Sequence, residues 1–374
     1  MSTSNQRFLA LDVFRGLTIC FMIIVNTPGN GATTFSPLLH ANWHGFTPTD
    51  LVFPSFLFAV GNAMSFVMLK WENKPASEVI WKILKRSFII FLLGYLMYWF
   101  PFFHFNKSGE MAFSPISDTR ILGVLQRIAI CYCIASFMIY FLKPKLSVVI
   151  TIALLLLYWL LSYVFGTSGD PYSLTGNAAL KLDKWLMGDS HLYHGEGIAF
   201  DPEGLLSTIP AIGNVIGGYM VGSFVQQKGK SWEGLSKLLL AGFTLLCIAY
   251  FWDLLFPINK KLWTSSFVLY TVGLDCIILA SVIYLIDFLH KTKWTPFFEV
   301  FGKNPLFIYL LSEILVIIAF MIPIGKTNLF RWTYATIFSH AGAYLGSLLF
   351  ALSFMLLCWS VGYWMDKKKI YVRV

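Results

Sequence analysis

The sequence predicts an all-α polytopic membrane protein with about ten transmembrane helices and both termini in the cytoplasm. Of its 374 residues, 57% are hydrophobic and only 13% are charged, whereas soluble domains carry about 25% charged residues. The apolar residues form runs of roughly 20, the length that crosses a hydrocarbon core of about 30 Å. We therefore expect a single transmembrane domain over residues 1–374 and no sizeable soluble domain.

Ten apolar segments are the candidate spans. They cover residues 8–27, 49–69, 80–100, 120–142, 146–165, 204–226, 235–256, 263–289, 297–322 and 343–365. When both termini are placed in the cytoplasm, the loops on that side hold most of the lysines and arginines, as the positive-inside rule requires. No small-residue cleavage site follows the first segment, so we expect it to be a retained helix. The absence of other targeting signals favours the plasma membrane of a bacterium.

The same orientation places two polar loops, 28–48 and 166–203, on the outer side. The first loop contains no lysine or arginine. The second is rich in Gly, Asp-Pro, Ser and Asn, residues that favour turns, and we expect a short helix near 178–187 within it. Loops of this length are more often functional than idle, so we expect the two loops to cover an active site.

The net charge of +9 and the six cysteines are both explained by a membrane protein. The excess of positive charge lies in the predicted cytoplasmic loops, so we expect membrane lipid and not nucleic acid as a partner. The cysteines fall in apolar runs, where they pack as small hydrophobic residues. Because Cys131-Tyr132-Cys133 lacks the spacing of metal ligands, no metal site is expected.

The first helix carries three polar residues on one face. Asp12 and Arg15 are three residues apart, and Asn26 follows Arg15 about three turns later, about 16 Å along the axis. An inner cation and an outer amide on one face suit a long ligand that enters from the cytoplasm with an anionic head. An ion pair that only orients the helix explains Asp12 and Arg15 equally well.

Two histidines in the first outer loop, His40 and His44, are candidates for acid–base or nucleophilic chemistry, because imidazole titrates near neutral pH. For each, an interfacial histidine without a chemical role is the alternative. Asp50 precedes the second span, and an Asp-Pro-Glu sequence at 201–203 opens the sixth. Both patterns are also those of ordinary helix starts.

Several amide and ionisable side chains fall inside predicted spans, where they are costly and therefore candidates for function. They are Gln126 and Arg127 in the fourth span, Asp275 in the eighth and Glu313 in the ninth. Lys303 and Asn304 stand at the inner start of the ninth span, where free backbone N–H groups and the helix dipole favour phosphate. A positive-inside flank explains Lys303 equally well.

Several motifs, taken in order, resemble those of the heparan-α-glucosaminide N-acetyltransferase family, including its short bacterial members. The resemblance runs from about Leu9 to Glu313 and rests on LDVFRG (11–16), Asn26, HANWHGFTPTDLVFP (40–54), GVLQR (123–127), GDSHLY (188–193), AFDPEG (199–204), INKKLW (258–263) and GKNP (302–305). It implies transfer of acetyl from cytosolic acetyl-CoA to the amine of a terminal glucosamine across the membrane, and a homodimer. The active-site histidine of the family's His-Ala-x-Trp motif corresponds to His40.

The chain departs from the animal members of that family at two points. His44 stands where they have an asparagine, which leaves the role of His44 open. We also expect no N-terminal lumenal extension like theirs, which disfavours a polymeric heparan acceptor and favours a small amino sugar.

The resemblance and the spacing together assign roles to the candidate residues. His40 is the predicted base or nucleophile, oriented by Asp50 or Glu203, and Asn26 or Gln126 is the predicted donor to the oxyanion. The predicted contacts to acetyl-CoA, the acyl donor, are Arg15, Gln126, Arg127, Lys303 and Asn304. The predicted contacts to the amino sugar are Trp43, His44, Asp201 and His191.

Two other classes of protein fit parts of the sequence. The first is a transporter for amino sugars or other small polar solutes, with Asp275, Glu313 and Arg127 along a substrate or proton pathway. The second is a membrane scaffold whose polar residues serve helix packing only. The absence of an internal repeat counts against an inverted-repeat transporter, and the order of the motifs favours the enzyme.

Overall fold

The computed structural model describes residues 8–105, 110–228 and 230–372, and the protein is mostly helical, with 74% of it in helices. The α-helices are α1 (Leu9–Asn26), α2 (Val52–Trp71), α3 (Ala76–Trp99), α4 (Val124–Phe165), α5 (Ala178–Met187), α6 (Leu205–Lys228), α7 (Trp232–Asp253), α8 (Ser265–Ile283), α9 (Thr295–Lys303), α10 (Pro305–Met321), α11 (Leu329–Thr333) and α12 (Ala343–Lys367). Two small antiparallel hairpins pair β1 (Phe103–Phe105) with β2 (Met111–Phe113) and β3 (Pro323–Ile324) with β4 (Thr327–Asn328). The expectation of a mainly helical membrane protein is confirmed.

Within the described ranges, seven helices are long and apolar enough to cross a membrane, or eight if α9 and α10, which meet at 83°, form one broken span. Two predicted segments, 120–142 and 146–165, both fall in the 42-residue α4, which counts once. Lys143 interrupts α4 with non-helical dihedral angles (φ 63°, ψ 159°), and Pro144 follows it. Because proline has no N–H to continue the helical hydrogen bonding, α4 is two helical segments joined at this point.

Helices α2 and α6 form the centre of the bundle, and their backbones nearly touch. A Cβ at Gly218 would lie 2.0 Å from the carbonyl oxygen of Phe58, and one at Gly222 would lie 3.0 Å from the Cα of Asn62. Any larger side chain at Gly218 would force the helices apart. From the first contact to the second, the residue number increases by four on both helices. Helices α2 and α6 therefore run parallel. Their N-terminal ends therefore lie at the same end of the bundle.

The two polar loops, 28–48 and 166–203, pack against each other at that end. Trp43 Nε1 donates to the carbonyl oxygen of Tyr172 over 2.8 Å, and its ring packs on Phe200 with centroids 5.6 Å apart. The short helix α5, predicted near 178–187, spans exactly that range in the second loop and begins after Asn177, whose side chain accepts the N–H of Leu180. These contacts bring the histidine-bearing loop and the Asp-Pro-Glu turn into one outer assembly.

Candidate active site

His40 and Asp50 form a hydrogen-bonded pair just before α2. His40 Nδ1 lies 2.7 Å from Asp50 Oδ1, and Asp50 is completely buried. Its Oδ2 accepts from the N–H of Ala41 at 3.1 Å and from the N–H and hydroxyl of Thr47 at 3.0 Å each. Because a carboxylate can only accept, we assign the proton of neutral His40 to Nδ1. The lone pair on Nε2 can then take up a proton or attack a carbonyl carbon.

The ammonium group of Lys260 lies beside that nitrogen. Its Nζ is 3.0 Å from His40 Nε2 and 3.2 Å from Nδ1. Burial lowers the pKa of Lys260, and the carboxylates of Glu203 and Asp50 oppose this shift. The sequence analysis did not single out Lys260, although the residue belongs to the INKKLW motif. Its role was missed because 220 residues separate it from His40.

His40 and Lys260 line a small cavity of about 70 Å³, which we call the outer cavity after the predicted orientation of the chain. The other polar side chains in its wall are those of Asn26, Thr49, Glu203 and Tyr309. The Asn26 amide is engaged, since its Nδ2 lies 3.4 Å from Oε1 of Glu313. With Asp50 directly behind His40, the structure brings together all four residues that were predicted to be catalytic.

Arg120 holds the carboxylates of Asp201 and Glu203 at the edge of this cavity. Its Nε and Nη2 lie 2.9 and 2.6 Å from the two oxygens of Asp201, and Nη2 lies 2.6 Å from Glu203 Oε2. The guanidinium also lies over the rings of Tyr98 and Tyr193, 4.9 and 4.8 Å from their centroids. Asp201, predicted to bind the sugar, is 1% exposed and is not in the cavity wall. The sequence analysis did not single out Arg120, the first residue of the predicted span 120–142.

The two carboxylates respond differently to these surroundings. Burial raises the pKa of Asp201, although the hydrogen-bonded Arg120 opposes the shift. Glu203 is also buried, which by itself would raise its pKa. The positive charges of Arg120, Arg127 and Lys260 outweigh that effect and lower the pKa of Glu203. Glu203 therefore stays anionic beside the ammonium group in the cavity.

A second, inner cavity of about 320 Å³ lies further along the bundle. Its cationic side chains are those of Arg15, Arg86 and Lys303. Arg15 Nη1 donates to the carbonyl oxygen of Gly302 over 3.2 Å and lies 3.6 Å from Asp12. Lys303 Nζ lies 2.7 Å from Asp366. Two of the three cations are therefore paired with carboxylates.

Arg86 differs from the other two cations, because no carboxylate of the described chain pairs with it. Its guanidinium lies over the ring of Tyr132, 4.8 Å from the centroid, and its buried Nε has no hydrogen-bond partner within the described ranges. Buried donors without a partner are rare in proteins, so this nitrogen favours an anionic ligand. Three cations around one cavity fit the phosphates of a nucleotide. The sequence analysis did not single out Arg86, which falls within the predicted span 80–100.

Asn304, also predicted to contact acetyl-CoA, fixes the C-terminal segment at the inner cavity. Its Nδ2 donates to the carbonyl oxygen of Ile370 over 3.0 Å, and its Oδ1 accepts the N–H of Val372 over 2.9 Å. Val372 in turn lines the cavity. Asn304 therefore shapes the wall of the cavity through the residues that it holds.

The two cavities are neighbours along the same helices. On each of three helices, one residue lines the outer cavity and a nearby residue lines the inner cavity. With the residue of the outer cavity given first, these pairs are Phe53 and Phe56 on α2, Val124 and Leu125 on α4, and Tyr309 and Leu306 on α10. The members of each pair are within about one helical turn of each other. A mostly apolar wall therefore separates the cationic cavity from the one that contains His40.

Gln126 and Arg127, two further predicted contacts to acetyl-CoA, are in the wall of neither cavity. Arg127 is completely buried, and its Nη2 donates to the carbonyl oxygen of Gly204 over 3.2 Å and to Ser207 Oγ. It therefore ties α4 to the first turn of α6. The Gln126 amide packs beside Gly94 on α3. Their contacts to acetyl-CoA stay predictions, and this geometry does not favour them.

The residues predicted to contact the sugar lie around the outer cavity but not in its wall. Trp43 joins the two polar loops. His44 Nδ1 accepts from Asn259 Nδ2 over 3.3 Å, and burial lowers the pKa of His44. His191 Nδ1 lies 2.7 Å from the carbonyl oxygen of Thr119, so it links the segment before α4 to the second polar loop.

The charged residues of the transporter alternative lie in separate environments. Asp275 accepts from the Ser55 hydroxyl, Glu313 contacts Asn26, and Arg127 contacts α6. Among the residues that the structure describes, no hydrogen bond or salt bridge joins any two of these three side chains. The structure therefore gives no support to a continuous pathway through them.

The fold and the two cavities define an integral membrane protein with a histidine–carboxylate pair at one cavity and three cationic side chains around a neighbouring one. Residues 7–244 match the family model described as "Heparan-alpha-glucosaminide N-acetyltransferase, catalytic", and the chain belongs to that family. His40, Asp50 and Glu203 lie within the matched range, whereas Lys260 and Lys303 lie beyond it.

Two curated relatives are both named heparan-alpha-glucosaminide N-acetyltransferase. The mouse protein is 26% identical over 433 residues, a match that covers 100% of this chain and 61% of the relative. The human protein is 27% identical over 374 residues, with 84% of this chain and 54% of the relative covered. The chain thus spans little more than half the length of the relatives that it matches.

Proposed function

We propose that the protein transfers an acetyl group from cytosolic acetyl-CoA to the amine of glucosamine or a glucosaminide on the outer side of the membrane. The observation that carries this proposal is the placement of the two cavities. His40, which is exposed, and its buried partner Asp50 lie beside one, three cations surround the other, and both cavities lie along the same three helices. Membership in an N-acetyltransferase family supports the reaction class.

The proposal includes about ten membrane crossings with both termini in the cytoplasm. In this topology α4 crosses twice, with its interruption at Lys143 on the inner side, and α3 and the bent pair α9–α10 each cross once. The parallel α2 and α6 then both start at the outer surface. The two polar loops would cover the active site there, in the plasma membrane of a bacterium.

The inner cavity is the proposed site for the nucleotide of acetyl-CoA. Arg15, Arg86 and Lys303 would bind its phosphates, with Lys303 exchanging part of its interaction with Asp366 for the ligand. The apolar wall between the cavities, formed by α2, α4 and α10, would separate to admit the pantetheine arm. The thioester would then reach His40 while the charged nucleotide stays on the inner side.

His40 is the proposed general base or nucleophile. Asp50 accepts the hydrogen bond from Nδ1, so that Nε2 points away from the carboxylate. Asp50 also stabilises the imidazolium that forms when Nε2 takes up a proton. As a base, Nε2 would deprotonate the sugar amine for direct attack; as a nucleophile, it would first accept the acetyl group. Glu203, Trp43 and His44 would contact the sugar from the cavity edge and the polar loops.

Proteoliposomes provide the test of this proposal. Vesicles that contain the full chain are loaded with acetyl-CoA labelled in the acetyl group, and glucosamine is supplied outside. We expect labelled N-acetylglucosamine to appear outside, and His40→Ala to abolish this product while acetyl-CoA binding is retained. Accumulation of unmodified glucosamine inside vesicles that lack acetyl-CoA would support the transporter, and near-normal transfer by His40→Ala would contradict the mechanism.

A further inference from the structure

Lys260 lies where the charge of an acyl-transfer reaction develops. A carbonyl carbon attacked by His40 Nε2, or by an amine that Nε2 deprotonates, must lie close to this nitrogen, and its oxygen lies within one bond of the carbon. Lys260 Nζ is 3.0 Å from Nε2 and lines the same cavity. An ammonium at this distance can donate a hydrogen bond to that oxygen.

Two other donors near His40 already have partners. The N–H of Ala41 is bonded to Asp50 at 3.1 Å, and the Asn26 amide nitrogen faces Glu313 at 3.4 Å. The Gln126 amide, the other predicted oxyanion donor, is not in the cavity wall. Lys260, by contrast, has a donor atom within 3.0 Å of His40 Nε2.

The position of Lys260 is determined by a braced turn and by charge. The neighbouring Asn259 is completely buried; its Oδ1 accepts the N–H of Leu262 over 2.8 Å, and its N–H donates to Thr264 Oγ1 over 3.1 Å. The anionic Glu203 lines the same cavity as the ammonium group. The hydrogen-bonded turn and the nearby carboxylate keep the cation at the cavity.

We propose that Lys260 is a catalytic residue that binds the thioester carbonyl oxygen and stabilises the negative charge on it during acetyl transfer. This inference rests on the proposed function and adds the group that stabilises the oxyanion. In the ligand-free arrangement Lys260 donates to His40 Nε2. On binding of the thioester, its hydrogen bond passes to the carbonyl oxygen, which leaves Nε2 available for the proton or the acetyl group.

The proposed step is balanced without a further reactant. In direct transfer, the amine forms the C–N bond, the C=O electron pair moves to oxygen, and His40 Nε2 accepts one proton from the amine. When the intermediate collapses, the C–S bond breaks, the thiolate leaves with its electron pair, and the His40 imidazolium protonates it. In the two-step route, Nε2 forms a bond to the carbonyl carbon, the C–S bond breaks and the thiolate leaves with its electron pair. The amine then forms the C–N bond, the bond between carbon and Nε2 breaks, and the proton that the amine releases balances the charge of the thiolate. The same oxygen carries the charge in both routes.

The test compares Lys260→Met and Lys260→Arg in the purified full chain, with acetyl-CoA and glucosamine as substrates and release of the CoA thiol as the readout. Loss of one oxyanion donor lowers kcat by about 10²–10³-fold, and we expect this for Lys260→Met, with little change in the KM for acetyl-CoA. Lys260→Arg should recover at least about a tenth of the wild-type kcat, because it keeps a cationic donor. The matched control is Lys184→Met, which removes an exposed outer lysine paired with Asp189.

A spectroscopic readout separates this role from a structural one. With acetyl-CoA labelled at the carbonyl carbon, the infrared C=O stretch of the bound thioester should be lower in the wild-type protein than in Lys260→Met, because the ammonium polarises the bond. The thermal stabilities of the two proteins should be similar. If Lys260→Met does not fold, Lys260→Gln, which keeps an uncharged donor, takes its place and should show an intermediate frequency.

Three results would overturn the inference. They are a kcat of Lys260→Met within about three-fold of wild type, an unshifted carbonyl stretch, or equal losses in Lys260→Arg and Lys260→Met, which would identify Lys260 as a proton acceptor. Failure of the proposed function is distinguishable, since the wild-type protein itself would then form no N-acetylglucosamine. In that case the inference about Lys260 fails with it.

Discussion

The Nη2 nitrogen of Arg120 lies 2.6 Å from Glu203 Oε2 and also 2.6 Å from Asp201 Oδ1. One guanidinium thus binds two buried carboxylates in the turn that starts α6. Because Glu203 lines the cavity that contains His40, this ion pair links the stability of the outer assembly to the shape of the site.

Replacing Arg120 tests the structural part of that link. Arg120→Met leaves two carboxylates buried without their cation, and breaking a buried pair in this way costs about 3–5 kcal/mol. We expect a large drop in the thermal unfolding temperature in detergent. Lys184→Met, which breaks an exposed pair with Asp189, should cost no more than about 1 kcal/mol. Equal shifts in the two variants would show that the Arg120 cluster does not stabilise the fold.

The tautomer of His40 depends on Asp50. In Asp50→Asn, the amide oxygen can keep the bonds from Ala41 and Thr47, and the amide nitrogen then donates to His40 Nδ1, which moves the imidazole proton to Nε2. Loss of the base should lower kcat by about 10²-fold or more, with little change in acetyl-CoA binding. Asp189→Asn, an exposed carboxylate of the same side, serves as the control. A kcat of Asp50→Asn within ten-fold of wild type, about 1.4 kcal/mol, would argue against this role of Asp50.

The inner cavity makes a separate prediction about binding of the acyl donor. Arg86→Met removes a charged donor, and hydrogen bonds to charged groups contribute about 1.5–3 kcal/mol, so the KM for acetyl-CoA should rise by about ten-fold or more at nearly constant kcat. Lys85→Met removes the neighbouring exposed lysine on α3 and should have a small effect. If Arg86 contacts the 3′-phosphate, wild type and Arg86→Met should differ less in their KM for acetyl-dephospho-CoA, which lacks that phosphate, than in their KM for acetyl-CoA. An unchanged KM would place the nucleotide elsewhere.

Asp183 on α5 makes the stability of the outer assembly depend on pH. Its Oδ1 accepts the N–H of Leu205 over 3.0 Å, and burial raises its pKa to about 7, well above the value of about 3.9 in an unfolded chain. The folded state therefore binds the proton more tightly. The stabilisation of the folded state by this bound proton is complete below pH 4 and is lost as the pH rises towards and through 7.

We expect the unfolding temperature of wild type to fall between pH 5 and 8 by a few degrees more than that of Asp183→Asn. The variant keeps an oxygen that can accept from Leu205 but no longer titrates. Parallel profiles for the two proteins over this range would show that Asp183 does not set the pH dependence.

Several parts of the fold and site could be predicted from the sequence because they are local. Apolar runs predict the long helices, and ten residues separate His40 from Asp50, within one loop and the turn after it. Other parts could not be predicted. For example, Arg127 points towards α6 and Gln126 points towards α3. These directions depend on how α4 is rotated relative to its neighbours, and the periodicity of one helix does not determine that rotation.

By itself, the sequence determined the helical membrane class and the family, and it predicted His40 as the central residue, since hydropathy, motif order and short-range spacing are written along the chain. Only the tertiary structure decided that Lys260 lies against His40, that Arg120 holds Glu203, and that Arg86 joins the inner cations. The physical reason is that these contacts join side chains far apart in sequence. Their distances are determined by how whole helices and loops pack, and no local pattern records that packing.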